Sequence, residues 1–427
     1  MSESHLKTFI RGSAVSIVAI GVLGIVNYLI RRYMALNMTE IEYGFFYSAF
    51  SMVMLIMSFI NMGLGQSSQI LIARAHGAEN TGRANRYFSV FFYVTVAISA
   101  TVFVIVEAIC PILATSFFKY PDGKMALAVI FVLLITLSLE SVITNGLTAK
   151  KLFMARNTLH VAKSSLILSL LWIFGSKLIF SASFYVACGI PIIICGIWLV
   201  RKKTSLRILS PKSLDGDDLR NLFSFSIWVA VSTTGVSAIY YFDTLCLTML
   251  TGLEEVAIYN IALPLMQIVQ GLMVFPVVFT PIAAEMWGKG DHHGILRIWK
   301  KVTSFMLLML PFLIIVGIFG GKFIIAMMFS KKFIAAAPVM TVLWVGMIFF
   351  SVVGFNMAIL NSAGRQKIVA LTICGGCLSS MILNFVLIPF FGALGAAIAN
   401  LLTYTFLAIM TTVIFIRITT PQKTRIN

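Results

Sequence analysis

Along this chain, apolar runs of about twenty residues alternate with short clusters of charge, the pattern of a polypeptide that crosses a bilayer repeatedly. Six runs, near 12–33, 44–70, 88–110, 126–147, 161–179 and 183–200, precede the longest hydrophilic stretch. Six more follow it, near 222–249, 256–282, 302–320, 336–360, 368–389 and 393–416. Each run predicts a transmembrane helix, and an even number of spans places both termini on one side. Lys7 and Arg11 precede the first run as they would in a signal sequence. The apolar stretch from Gly12 to Ile30 is too long for an h-region and lacks a convincing cleavage site, so it reads as the first span.

The hydrophilic stretch, RKKTSLRILSPKSLDGDDLRN at 201–221, is the natural linker between two halves. The halves echo each other: EYGFFY at 42–47 matches EEVAIY at 254–259, and IARAHG at 72–77 matches IAAEMWG at 282–288. Because each half has an even number of spans, the repeats are parallel, related by an axis along the membrane normal, with a cavity between them. The expectation is an all-α integral membrane protein of about twelve spans. Residues 1–200 form an N-terminal six-helix lobe, 201–221 a basic cytoplasmic linker and 222–427 a C-terminal six-helix lobe.

Charge chooses the side. Of 32 lysines and arginines, 24 fall on the side of the termini and 8 on the other, so the positive-inside rule makes both termini cytoplasmic in a multi-pass protein of the cytoplasmic membrane. The same rule explains the formal net charge of +17 without any nucleic-acid partner. Composition agrees, since 59% of the 427 residues are hydrophobic and 11% charged, which excludes a soluble globular fold. The six cysteines lie in or at the ends of apolar stretches and read as packing residues rather than a disulfide framework.

Little in the chain suggests enzyme chemistry. The five histidines lack metal-site spacing, Cys374-Gly375-Gly376-Cys377 sits in the middle of an apolar span, and neither GxxxxGK[ST] nor GxSxG occurs. No enzyme activity, cofactor or metal is expected. Polarity inside the spans is the informative feature, because it is costly there. Asp243 lies about nine residues before Gly252, at ~1.5 Å per residue roughly 13 Å below the external end of the seventh span. Glu140 lies past the middle of the fourth span. Both are candidates for cavity lining and ion coupling, whereas Glu107 reads as snorkelling or pairing at the interface. Arg31 and Arg32 end the first span. Two readings stay open for them, an interfacial anchor or a cavity-facing contact for an anion, which the arginine fork suits. In the eighth span Asn260, Pro264, Gln267 and Gly271 follow helical spacing and give one face amides and kink sites, a pattern that also serves helix packing. Asn260 and Gln267 are therefore candidate substrate contacts together with Arg31 and Arg32.

Several segments resemble the MOP exporter superfamily, and within it the polysaccharide transport branch, the Wzx-type flippases of lipid-linked oligosaccharides. NFVLIPFFGALGAAIAN at 384–400 is similar to the family's N-x-x-L-I-P-x-x-G-x-x-G-A-A-I-A pattern. FDTLCLTMLTGLEEVAIYN at 242–260 resembles its D-x-x-x-L and G-x-x-E-V-G-x-Y stretch, with Ala257 where glycine is usual. ILNSAGRQK at 359–367 resembles its I-L-x-A-x-G-R-x-K turn, and EYGFFY its E-Y-G-x-Y-x opening of the second span. The resemblance implies two six-helix lobes alternating inward and outward around a central cavity. The cargo it implies is an undecaprenyl-pyrophosphate-linked sugar repeat unit for O-antigen, capsule or exopolysaccharide synthesis. It also implies membrane lipids and a polysaccharide polymerase and glycosyltransferases as partners, a proton or sodium gradient as drive, and Arg31 or Arg32 as phosphate contacts. The rival within the superfamily is a proton- or sodium-coupled multidrug or organic-cation antiporter.

Overall fold

The computed structural model describes residues 3–61, 63–204, 206–210, 216–272, 283 and 286–419, and every regular element among them is helical. The chain divides into two compact units, Met1–Thr234 and Gly235–Asn427. The first holds α1 (Glu3–Asn37), α2 (Glu40–Asn61), α3 (Leu64–Gly77), α4 (Thr81–Ile112), α5 (Lys124–Phe131), α6 (Leu133–Ala149), α7 (Phe153–Phe174), α8 (Leu178–Ala187) and α9 (Gly189–Lys203). It also takes in the first part of α10 (Gly216–Leu250). The second unit holds the rest of α10, then α11 (Leu253–Leu272), α12 (His292–Ile315), α13 (Gly321–Met328), α14 (Ala336–Ser362) and α15 (Gln366–Thr419).

Local chemistry sets the helix ends. Before α2, Thr39 and Glu42 form a reciprocal cap: Glu42 N–H donates to Thr39 Oγ1 at 3.2 Å, and Thr39 N–H donates to Glu42 Oε2 at 3.1 Å. Asn80 accepts from Arg83 N–H at the start of α4, and Asp291 accepts from Gly294 N–H at the start of α12. The run at 44–70, which reads as one span, is two helices, because Gly63 adopts φ 66° between α2 and α3. Its apolar pattern passes through that break, and only the NMGLG glycines hint at it. In the other direction, α15 is 54 residues long, ~81 Å as a straight rod and far beyond one bilayer crossing. At Gly392, φ 53° and ψ −132° break the helix and separate the two spans expected there.

Eight stretches have the length and hydropathy to cross a membrane among the described residues, α15 counting as one of them. The eighth expected span, 256–282, is described as far as Leu272. Its last ten residues lie outside the described residues, as do Ile282, Ala284 and Glu285 of the repeated IAAEMWG and Ser205 and 211–215 of the linker. Outward-facing side chains are large and apolar, among them Phe319, Phe390, Trp172 and Met125, as suits contact with lipid.

In the first unit α1 packs along α7, and α4 and α9 flank α6. The segment after α9 is laid on α4. Arg207 N–H donates to Asn85 Oδ1 at 3.0 Å, Leu209 N–H to Ser89 Oγ at 2.8 Å, and Tyr93 hydroxyl to the Leu209 carbonyl at 3.0 Å. These three side chains recur every fourth residue of α4, one helical face, so the start of the linker is fixed to the first unit. In the second unit α14 packs between α11 and α15.

Candidate functional site

In the second unit Asp243, on α10, is fully buried. Three neutral donors converge on its carboxylate. Tyr259 hydroxyl, from α11, donates to Oδ2 at 2.8 Å. From α15, Asn384 Nδ2 donates to Oδ1 at 2.8 Å and Asn400 Nδ2 to Oδ2 at 2.5 Å. Asn400 Nδ2 also reaches Tyr259 Oη at 2.7 Å, which ties the two partners together. Among the described residues no cation pairs with Asp243. The carboxylate is thus fully hydrogen-bonded and electrically uncompensated, an arrangement that favours uptake of a small cation. The Oδ1 atoms of Asn384 and Asn400 are buried without a hydrogen-bond partner. Rotation of either amide would turn an acceptor toward the site.

Asn260 lies one residue after Tyr259 and is buried. Its amide donates to Thr244 Oγ1 at 3.4 Å and to the Val256 carbonyl at 3.0 Å, holding α11 against the turn of α10 that carries Asp243. Gln267, two turns further, is exposed and donates to Tyr240 Oη at 2.6 Å.

The first unit carries two separate polar clusters. Glu140, on α6, pairs with Lys163 of α7, Oε1 to Nζ 2.6 Å, and both side chains are largely buried. Beside them a small recess is lined by Glu140, Ile143, Thr144, Leu159, His160 and Ile192. Lys163 lies half-way along α7, and with its partner 2.6 Å away Glu140 is a compensated charge, unlike Asp243. Arg31, on α1, places its guanidinium 4.4 Å from the centroid of the Tyr47 ring of α2. Tyr47 packs on Tyr43, 4.6 Å between centroids, and Phe46 beside it meets Tyr185 of α8. Arg32 turns back along its own helix and donates to Tyr28 Oη at 3.4 Å. The two arginines therefore face different surroundings, and Arg31 has the aromatic cradle.

No group of three or more His, Cys, Asp or Glu side chains suited to a metal ion occurs among the described residues. The structure brings together Asp243 and Asn260 of the residues expected from sequence and leaves Glu140, Arg31, Arg32 and Gln267 in other clusters. Tyr259, Asn384, Asn400 and Lys163 were not expected. Asn384 and Asn400 are the first and last residues of the NFVLIPFFGALGAAIAN segment, which is the signal that locates them.

Residues 9–287 match the family model described as "Polysaccharide biosynthesis protein". The chain belongs to this family. Among relatives, an uncharacterized membrane protein of Methanocaldococcus jannaschii is 28% identical over 403 residues, covering 89% of this chain and 78% of the relative. A candidate O-antigen transporter of Shigella flexneri is 24% identical over 187 residues, 42% of this chain and 43% of that protein. In solved structures, an inward-facing multidrug resistance MATE family transporter of the MOP superfamily superposes with a TM-score of 0.75 at 14% identity, covering 95% of this chain and 98% of the other. Its outward-facing counterpart gives 0.70 at 14% identity, covering 97% and 95%. The polysaccharide biosynthesis protein described here thus has the MATE fold and is a multi-pass membrane protein.

Proposed function

We propose that this protein is a flippase that moves undecaprenyl-pyrophosphate-linked oligosaccharide repeat units across the cytoplasmic membrane by alternating access, for polysaccharide biosynthesis. Family membership and the resemblance to an O-antigen transporter support the cargo. The observation that carries the transport mechanism is Asp243, buried among three neutral donors and, among the described residues, without a counter-ion. In this reading a proton or sodium ion entering from the external side neutralises Asp243, and its release on the cytoplasmic side drives the conformational cycle. Such a charge stays expensive in hydrocarbon until it is neutralised, which links ion occupancy to the stability of one conformation over the other.

The headgroup needs the opposite charge. Arg31, its guanidinium 4.4 Å from the centroid of the Tyr47 ring, is the phosphate contact in this reading, because the arginine fork matches phosphate oxygens. Arg32 anchors the helix end and contributes long-range positive potential. Gln267, exposed beside Tyr240, supplies hydrogen bonds to sugar hydroxyls, and Asn260 holds the Asp243 turn in place. Glu140 is a second coupling group whose release from Lys163 accompanies the cycle. The isoprenoid tail stays in lipid, because only the polar headgroup loses water without replacement on crossing. Both termini and the linker at 201–221 are cytoplasmic, near the glycosyltransferases that supply the cargo, and a polymerase consumes it on the other face.

The test is purified protein in proteoliposomes with fluorescent undecaprenyl-pyrophosphate-linked oligosaccharide, read by a membrane-impermeant sugar-modifying enzyme. Protein-dependent exposure of the sugar is expected, with a large loss in Arg31→Ala at equal protein level. Cation-coupled efflux of an organic cation with no sugar exposure would replace this reading with that of a drug antiporter.

A further inference from the structure

The two asparagines that meet Asp243 lie on either side of the break in α15. Asn384 is eight residues before Gly392 and Asn400 eight residues after it. In a helical hairpin, positions equidistant from the turn stand at the same depth, here ~12 Å from it at ~1.5 Å per residue. That symmetry is what lets both amides reach one carboxylate. A slip of one residue in either limb would move its asparagine by ~1.5 Å and turn it by ~100° about the helix axis, taking the amide off Asp243.

Two features hold the register. Gly395 packs so tightly on the backbone of Leu387 in the other limb that a Cβ there would overlap its carbonyl oxygen. From outside the hairpin, Glu255 of α11 accepts the Ala393 N–H through Oε2 at 2.6 Å. This carboxylate also occupies the space a Cβ on Gly392 would need. Glu255 lies one helical turn before Tyr259. A single face of α11 therefore grips the turn of the hairpin with one residue and, with the next, meets both Asp243 and Asn400.

We propose that Glu255 is a positioning residue of the Asp243 site. Its bond to the hairpin turn fixes where the Asn384 and Asn400 amides stand, and so sets the affinity of Asp243 for its cation without touching that cation. This rests on the reading of Asp243 as the coupling group. Among the described residues, the titratable groups facing Asp243 are Cys246 on its own helix, Tyr259 on α11 and Tyr404 on α15, with Tyr240 of α10 beside the two tyrosines. None of them is a base that would pair with the carboxylate.

The experiment is infrared difference spectroscopy of the full-length protein in nanodiscs, with acid titration of the protonated-carboxyl band that Asp243→Asn removes. Glu255→Ala should shift the midpoint of that band by about one pH unit or more, a tenfold change in proton affinity. Glu255→Gln, whose amide oxygen still accepts from Ala393, should keep the midpoint within about threefold of wild type, and Glu254→Ala, next to it and exposed, should leave it unchanged. If Glu255→Ala fails to fold, Glu255→Asp, one methylene too short to reach Ala393, carries the same expected shift. A helix staple with no bearing on the site would lower the melting temperature and leave the midpoint where it was, and that result overturns the proposal. Asp243→Asn with wild-type ion dependence of transport would instead remove the coupling reading, whatever Glu255 does.

Discussion

Asp243 and Glu140 are both carboxylates buried in helices, yet their surroundings give them different work. Glu140 has Lys163 at 2.6 Å. Deleting one partner of such a pair strands the other, so Lys163→Ala should destabilise the protein by about 3–5 kcal/mol, read from denaturant or thermal unfolding in detergent. Glu140→Gln combined with Lys163→Met should recover most of that loss; no recovery would mean that the pair is not what Lys163→Ala breaks. Among the described residues Asp243 has neutral partners alone, and two of them are amides with a spare buried oxygen. Asp243→Asn is thus expected to fold with a near-wild-type melting temperature, because a rotated Asn384 or Asn400 can accept from the new amide. Ion-stimulated transport should fall on the order of tenfold or more, corresponding to an interaction of ~1.4 kcal/mol or greater. Both carboxylates were legible in the sequence, since a charge within an apolar run stands out. Their partners were not, because Tyr259, Asn384 and Asn400 are ordinary packing residues in isolation. Lys163 lies near the start of the span expected at 161–179, where a cation at the membrane surface is the simpler reading, whereas the helix begins at Phe153.

At the scale of elements, the repeat puts equivalent positions to different use. Arg31 and Tyr47 are 16 residues apart (47 − 31) and meet between the first two helices of the first unit. Asp243 and Tyr259 are also 16 residues apart and meet between the corresponding helices of the second. The echo between EYGFFY and EEVAIY aligns these two tyrosines. One fold position therefore carries a cation in one unit and an anion in the other, which suits the proposed carriage of an anionic headgroup driven by a cation. The hairpin in α15 is the other decisive element. Gly395→Ala should cost about 1–3 kcal/mol through the overlap with Leu387, seen as a lower unfolding temperature. Unchanged stability would show that the limbs part easily. Apolar runs with a Pro-Phe-Phe-Gly turn made this hairpin legible, while the α2–α3 break was hidden because hydropathy continues across Gly63.

For the whole molecule, the distribution of charge makes a sided prediction. In a variant whose native cysteines are replaced, Ser210→Cys in the linker should react with a membrane-impermeant thiol reagent only from the cytoplasmic face, and Asp122→Cys between α4 and α5 only from the opposite face. Labelling of both from one side would contradict the three crossings expected between residues 122 and 210. All-α architecture and repeated crossing were legible from hydropathy and charge alone, and the motifs pointed to the superfamily. What brings Asp243, Tyr259, Asn384 and Asn400 into one cluster was not legible, since it depends on contacts between residues up to 157 positions apart. The central claim is cation-driven movement of a lipid-linked oligosaccharide. It is tested most directly by the initial rate of sugar exposure in proteoliposomes, with and without imposed inward proton or sodium gradients, for wild type and Asp243→Asn. Acceleration of the wild type by one gradient, absent in Asp243→Asn, is predicted. A lipid-linked sugar that stays in its original leaflet under every gradient in the wild type would contradict the account.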